Sequence, residues 1–168
     1  MEKHTVYISI GSNIGDKRAN CQRGITLLVS SGMATLKEQS RFYVTEPMGY
    51  KDQDWFINAV VCIETGVDPH RLFHQLKQIE TTVGRKADTI RFGPRILDLD
   101  ILFYDDEIID TPLLVIPHPR LHKRRFVLQP FCDIEPRKVH PILKKDMQDL
   151  LGKLNDHDKD VLPYPCET

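Results

Sequence analysis

An apolar strand interrupted by two acidic residues constrains this chain more than any other stretch. Residues 96–103 read ILDLDILF, a run of branched and aromatic side chains that favours a β-strand. Side chains alternate between the two faces of a strand, so the odd-numbered residues from Leu97 to Phe103 are predicted to share one apolar face that packs on helices. Asp98 and Asp100 then share the other face, with Cα atoms roughly 6.5–7 Å apart.

Two carboxylates held this close repel each other, and the pair has two interpretations. In the first, a divalent cation joins Asp98 and Asp100, since carboxylate oxygens suit Mg²⁺. In the second, the two aspartates only line a solvated strand face, because Asp-x-Asp is a short and common motif. The approach to the strand favours the first interpretation: Arg91 and Arg95 flank Gly93-Pro94 and stand where a phosphate can be gripped.

The order of predicted elements indicates an α+β fold. Asp68-Pro69 is a typical helix start and Gly84 a typical stop. The order strand, helix, strand, strand, helix, strand predicts a ferredoxin-like βαββαβ sandwich, with its helices on one sheet face and the other face free to carry a site. The predicted strands lie at 5–10, 34–44, 56–64 and from 96 onward, and the first helix runs from 16 or 17 to about 30.

The C-terminal third adds smaller elements to this core. Short extended pieces are predicted at 108–109 and 113–116, and helices at 126–133 and 147–154. Between them, prolines on both sides hold His118 in a stiff segment, which suits either a ligand contact or an ordinary surface loop. We expect one domain over 1–168 with its core at about 4–135, and a loosely held tail at 155–168.

Composition excludes several classes of protein. The net charge of −1 and pI near 6.6 disfavour nucleic-acid binding, and no stretch is apolar enough for a membrane span or a signal peptide. The four cysteines are scattered without a Cys-x-x-Cys pair, as in a protein of the reducing cytoplasm. We expect a cytoplasmic monomer or simple homodimer that binds small molecules.

Two polar features remain ambiguous at this level. Lys77 and Glu80 stand three residues apart on a helix, and the pattern alone favours a surface ion pair. Asn58 interrupts an apolar strand, where its amide is equally consistent with a backbone partner or a ligand. The turn at 11–17 lacks the spacing of a phosphate-binding P-loop and is interpreted as a tight strand-to-helix turn.

The combination of groups indicates chemistry on a polyphosphate. Such transfer needs metal to neutralise charge and basic groups to stabilise the equatorial oxygens. Asp98 and Asp100 are the candidate Mg²⁺ ligands, with Arg85, Arg95 and Arg124 as candidate clamps on phosphate. Loops at 45–54 and 85–94 are long enough to close over the site. The residues alone therefore predict a Mg²⁺-dependent transferase acting on a nucleotide.

From these motifs the chain also resembles a known family, the 6-hydroxymethyl-7,8-dihydropterin pyrophosphokinases of folate biosynthesis. The most specific match is residues 91–102, RFGPRILDLDIL, and the resemblance covers roughly residues 5–135. The supporting matches are Gly11-Ser12-Asn13, Thr45-Glu46-Pro47, Phe56-Ile57-Asn58-Ala59, Glu80 with Gly84-Arg85, and Pro117-His118-Pro119-Arg120.

The resemblance implies a reaction and a set of site residues. It implies that the pterin hydroxymethyl oxygen attacks the β-phosphorus of ATP and AMP leaves, with Arg95, Asp98 and Asp100 catalytic and two Mg²⁺ on the aspartates. The implied ATP-binding residues are Glu80, Arg85, Phe92, Arg95, Ile101, His118 and Arg124, and the implied pterin-binding residues are Thr45, Pro47, Met48, Phe56, Asn58 and Phe126.

Departures from the family pattern and two rival functions complete the expectations. Phe92 and Phe56 stand where the family also has Trp and Tyr, and Ala87 and Asp88 replace basic residues of some members. A nucleotidyltransferase, whose ferredoxin-like palm also carries paired aspartates, would release pyrophosphate instead of AMP. A small-molecule-sensing regulatory domain of the same fold would have no need of the aspartate pair.

Overall fold

The computed structural model describes residues 2–45, 54–84, 95–155 and 161–164. None of the helices in these parts of the chain is long and apolar enough to cross a bilayer. The strands and helices run in the order β1 His4–Ser12, α1 Lys17–Ser30, β2 Ala34–Gln39, β3 Tyr43–Thr45, β4 Phe56–Thr65, α2 Pro69–Val83, β5 Asp98–Tyr104, β6 Ile109–Asp110, β7 Val115–Ile116, α3 Arg125–Ile134, α4 Met147–Gly152 and β8 Val161–Pro163.

The main sheet is antiparallel and confirms the predicted α+β class. Its order is β5-β1-β4-β3-β8, with β2 also paired to β4, and β6 and β7 form a separate hairpin. With β2 and β3 counted together, this is the strand order of a ferredoxin-like sandwich. Among the described strands, β5, which carries both aspartates, therefore lies at an edge of the sheet.

Local capping fixes the two long helices where the sequence predicts them. The side chain of Asp16 accepts the Ala19 N–H at the start of α1, and Asp68 accepts the Arg71 N–H at the start of α2. Gly84 ends α2 with a φ of +131°, a backbone conformation that residues other than glycine rarely adopt.

Both faces of the sheet are covered, which corrects the expectation of one free face. Helices α1 and α2 pack on the first face, around Ile8, Val61 and Leu76. Helices α3 and α4 pack on the second face, where Val60 and Phe131 are fully buried. The C-terminal additions thus close part of the second face, and the half-buried Asp98 and Asp100 lie beyond that cover.

A bulge corrects the predicted alternation along β5. Tyr7 of β1 pairs with Phe103 and Ile8 pairs with Ile101, so Leu102 is an extra residue. Leu102 and Phe103 consequently both pack in the second core, whereas Ile101 lies in the first. Phe103 therefore does not share a face with Leu97, as simple alternation predicts.

The predicted strand at 34–44 is two strands, because Ser40 interrupts it. The Ser40 N–H donates to the Val60 carbonyl at 2.9 Å, and the Ser40 hydroxyl accepts the Val60 N–H at 2.9 Å. This side-chain bond replaces a rung of the ladder, and β3 begins again at Tyr43. Part of the tail expected to be loose, β8, pairs with β3, and Tyr164 donates its N–H to the Phe42 carbonyl.

Candidate functional site

The two aspartates lie on β5 opposite the end of β1. Asp98 pairs with Gly11 and Asp100 with Ser9, and both aspartates are half-buried. Directly opposed residues of neighbouring strands point to the same sheet face. Asp98 and Asp100 therefore share a face, as the sequence predicts, at the end of the sheet that the C-terminal helices leave accessible.

Two side chains of α2 contact the outer edge of β5. The Glu80 carboxylate accepts the Leu99 N–H at 2.7 Å, and Lys77 Nζ lies 3.2 Å from the same Glu80 oxygen and 3.4 Å from the Leu99 carbonyl oxygen. Glu80 is only 1% exposed. The prediction of a surface ion pair is therefore wrong, because α2 packs this pair against an edge strand that the local pattern does not reveal.

His118 is held on the same strand edge by its backbone. Its N–H donates to the Leu102 carbonyl at 3.0 Å, and its Nδ1 accepts the Arg120 N–H at 3.1 Å. Burial, together with the charges of Arg124, Arg120 and Lys77, lowers the pKa of His118 to about 4. The imidazole is thus neutral at pH 7 and carries its proton on Nε2, where it can donate to a ligand.

Arg124 supplies a cation close to the aspartates. Burial lowers the pKa of its guanidinium, while the charges of Asp100 and Asp98 act in the opposite direction. An arginine remains protonated under such a shift. The guanidinium lies 5.4 Å from the centre of the Phe126 ring, a cation–π contact that orients it.

A buried asparagine that the sequence analysis did not select as a site residue holds Arg95. Asn13 is 2% exposed. Its backbone N–H donates to the Arg95 carbonyl at 3.0 Å, and its Oδ1 accepts the Arg95 N–H at 2.8 Å. Its Nδ2 donates to the Asp54 carbonyl at 3.0 Å. The sequence offered two clues to Asn13, its place in the matched stretch Gly11-Ser12-Asn13 and an amide directly after a strand, and the second is also typical of an ordinary turn.

A second polar cluster lies one strand further in. Asn58 Nδ2 donates to the Thr45 hydroxyl at 2.5 Å, and both residues are buried. Gly11 makes room for this amide, because a Cβ on Gly11 would lie 2.5 Å from Asn58 Oδ1. The partner of Asn58 is thus a side chain of the neighbouring strand.

The two clusters form one row across the sheet. Gly11 of β1 pairs with Asn58 on one side and with Asp98 on the other. Opposed Cα atoms lie about 4.5–5.5 Å apart, so Asn58 and Asp98 are separated by roughly 10 Å on one face. Phe56 borders the row, with a ring carbon 3.7 Å from the position of a Gly11 Cβ.

The other predicted site residues divide into three groups. Phe126 lies beside Arg124 and is half-buried. The Ile101 side chain is 4% exposed and belongs to the first core, so the structure does not bring it to the aspartate face. Four predicted residues lie outside the described parts of the chain, namely Pro47, Met48, Arg85 and Phe92.

The donor set at β5 fits a magnesium site. Asp98 and Asp100 offer hard carboxylate oxygens, and Mg²⁺ is typically bound by one or two carboxylates together with substrate phosphates. The Arg124 guanidinium interacts with the charges of Asp100 and Asp98 and is therefore close enough to bind the anion that such a metal accompanies.

Comparison with known proteins agrees with this geometry. The model of the 7,8-dihydro-6-hydroxymethylpterin-pyrophosphokinase family matches residues 7–136. The 2-amino-4-hydroxy-6-hydroxymethyldihydropteridine pyrophosphokinase of Bacillus subtilis is 42% identical over 128 residues, which are 76% of this chain and 76% of that protein. Its counterpart in Aquifex aeolicus is 38% identical over 86% of this chain and 89% of its own length.

Longer proteins contain a similar region. The folic acid synthesis protein fol1 of Pneumocystis carinii is 41% identical over 98% of this chain, which spans only 22% of that protein. A crystal structure of Plasmodium falciparum HPPK-DHPS with pteroate superposes with a TM-score of 0.74 at 16% identity, over 90% of this chain and 42% of that one, and supports the fold alone.

The family model covers most of the chain, and the bacterial relatives match it over most of their own length. This chain therefore belongs to the 7,8-dihydro-6-hydroxymethylpterin-pyrophosphokinase family of diphosphotransferase enzymes.

Proposed function

We propose that this protein transfers pyrophosphate from ATP to the hydroxymethyl group of 6-hydroxymethyl-7,8-dihydropterin and releases AMP, a step of folate biosynthesis. The observation that carries the proposal is the row Asn58–Gly11–Asp98 across three strands. In this row the Asn58 amide, which suits the polar edge of a heterocycle, and the Asp98 carboxylate, which suits a metal, lie on one sheet face. Their separation of roughly 10 Å leaves room for a small substrate between them.

The nucleotide side of the proposed site lies along β5. Arg95 and Arg124 would bind phosphate oxygens, and His118 would donate a neutral hydrogen bond from Nε2. Glu80, which accepts the Leu99 N–H, and Ile101 would border this side by family resemblance. By family resemblance the nucleotide side also includes Arg85 and Phe92.

The pterin side of the proposed site lies at β3 and β4. Asn58 uses one N–H on Thr45, and an amide has a second N–H and a carbonyl oxygen with which to recognise the polar edge of a pterin. Phe56 and Phe126 would stack on the ring. Pro47 and Met48 complete the proposed pocket by family resemblance.

Asp98 and Asp100 would hold two Mg²⁺, which neutralise phosphate charge when bound. The chain's own residues then bind and orient the two substrates. The hydroxymethyl oxygen forms a bond to the β-phosphorus and releases its proton to water, as the bond from that phosphorus to the oxygen of the α-phosphate breaks and AMP departs with that oxygen. A metal-held carboxylate is a poor base, so we assign Asp100 to binding rather than to proton removal.

Changing Asp98 or Asp100 to Ala tests this assignment. Each variant is expected to lower turnover at least about 100-fold, as loss of a charge-stabilising group does, while circular dichroism and melting temperature stay close to wild type. Asp110→Ala, an exposed aspartate of the β6–β7 hairpin, is the matched control and should keep wild-type turnover. Retained turnover, or loss of fold, in the two site variants would contradict the metal assignment.

A further inference from the structure

Within the described residues, the strand that carries the aspartate pair has a sheet neighbour on one side only. In the described part of the sheet, β5 pairs with β1 and with no further strand beyond it. An edge strand presents unpaired N–H and carbonyl groups and is less firmly held than a central strand. Two metal-binding aspartates on such a strand need contacts other than a second neighbouring strand to fix their positions.

The open edge of β5 is held by side chains of α2 at Leu99, the residue between the two aspartates. Asp98 and Asp100 pair with Gly11 and Ser9 of β1, whereas the Leu99 N–H and carbonyl bond to α2 side chains and so point to the open edge. Glu80 accepts that N–H, and Lys77 donates to that carbonyl. Together they reproduce, at the residue between the two aspartates, the donor and acceptor that a neighbouring strand would supply.

Stability alone explains this arrangement poorly. Glu80 is 1% exposed, and a buried ion pair often contributes no more to stability than apolar side chains of similar volume. An apolar pair could cover the edge but could not bond to both backbone groups of Leu99. The ionic pair is therefore better explained by the geometry that it imposes on β5.

We propose that Lys77 and Glu80 are positioning residues that hold Leu99 and thereby fix the placement of Asp98 and Asp100. The hydrogen-bonded clamp itself does not depend on the enzyme's reaction. Its consequence for metal binding rests on the proposed function of the two aspartates.

Amide hydrogen exchange at Leu99 tests the clamp without substrates. Glu80→Ala removes the acceptor and is expected to raise the exchange rate of the Leu99 amide at least about tenfold, whereas Glu80→Gln keeps an acceptor oxygen and should keep the protection. Gln78→Ala, an exposed position of the same helix, is the matched control. Unchanged protection in Glu80→Ala would overturn the clamp.

Metal affinity tests the consequence without turnover. Mn²⁺ binding to the protein without nucleotide, measured by electron paramagnetic resonance, should weaken about 10–100-fold in Glu80→Ala, as for other residues that orient metal ligands. The double variant Lys77→Met/Glu80→Gln, which has no charge but keeps the acceptor, should bind more tightly than Glu80→Ala. Equal Mn²⁺ affinity in wild type and Glu80→Ala would overturn the positioning role.

The two claims fail in different ways. If the wild-type protein forms no AMP, the proposed reaction is wrong, and Leu99 exchange still decides whether the clamp exists. If Glu80→Ala does not fold, the comparison passes to Glu80→Gln, which keeps an acceptor for the Leu99 N–H. Protection of the Leu99 amide in the folded Glu80→Gln variant would then support the proposal, and rapid exchange there would overturn it.

Discussion

At the scale of single residues, His118 shows how a charge is kept out of a crowded cationic site. Burial has the largest effect on its pKa, and the charges of Arg124, Arg120 and Lys77 lower it further, to about 4. The Arg120 N–H occupies Nδ1 and fixes the tautomer. A neutral donor can approach phosphate without adding to the repulsion among these cations.

Protonation of His118 is expected to destabilise the fold in acid. An unfolded histidine titrates near pH 6.5, so the unfolded state binds the proton first and stability falls as pH drops from 6.5 towards 4. Wild type should lose up to about 1.4 kcal/mol per pH unit more than His118→Asn across this window. Urea unfolding between pH 7 and 4.5 measures the difference, and parallel curves for the two proteins would contradict the assignment.

Gly11 is expected to control pterin affinity through Asn58. In Gly11→Ala the new methyl would lie 2.5 Å from Asn58 Oδ1 and displace the amide from Thr45. We expect pterin binding to weaken about tenfold or more, the cost of misaligning a buried polar contact. Fluorescence titration with the pterin measures it. Gly152→Ala, where the added Cβ would meet no described atom within 4 Å apart from its chain neighbours and the backbone of its own helix, is the control and should bind normally.

At the scale of elements, local chemistry predicted some boundaries and missed others. Helix α2 was predictable because its end signals are local: Asp68 and Pro69 act on its first turn and Gly84 on its last. The break between β2 and β3 was not, because Ser40 ends the strand through bonds to Val60, twenty residues away. The burial of Glu80 depended likewise on the remote edge of β5.

Asn13 joins three elements and is expected to matter for rate. It follows β1 and binds the backbone of Asp54 before β4 and of Arg95 before β5. Asn13→Ala should misplace Arg95 and lower kcat about 10–100-fold, since displacement of a catalytic group by about 1 Å has effects of this size. Steady-state kinetics measures the loss.

Asn20→Ala provides the comparison for Asn13. Asn20 donates to the Ile14 carbonyl in the same turn at 2.8 Å and to the Ser12 hydroxyl at 3.4 Å, and within the described parts of the chain its side chain makes no hydrogen bond to Arg95 or Asp54. We expect it to lower stability by about 1 kcal/mol with kcat near wild type. An equal loss of kcat in both variants would show that the turn as a whole, rather than the hold on Arg95, limits the rate.

At the scale of the whole molecule, the sheet is a shared platform between two cores. The βαββαβ order could be predicted from the sequence because hydrophobic periodicity and helix caps depend only on residues close together in the chain. The cover that α3 and α4 place on the second face was not, since an amphipathic helix does not reveal which surface it will meet. The aspartates were predictable as a pair, but their place beyond that cover required the fold.

The same scale explains why the site could be only partly assembled from sequence. Residues as remote as Thr45, Asn58, Asp98 and His118 converge because β1 pairs with both β4 and β5 and the chain returns to the β5 edge. Sequence motifs identified many of these residues as candidates. The clamp on Leu99 and the anchor at Asn13 arise from backbone positions that only the fold defines.

The identity of the nucleotide product tests the central claim most directly. Purified protein with Mg²⁺, ATP and 6-hydroxymethyl-7,8-dihydropterin should yield AMP and the pterin diphosphate in equal amounts. ³¹P nuclear magnetic resonance measures both products. The aspartate pair, the arginines and the pterin-side amide are all assigned on the basis of attack at the β-phosphorus. Release of ADP would indicate single phosphoryl transfer, release of pyrophosphate would indicate nucleotidyl transfer, and either result would contradict the account.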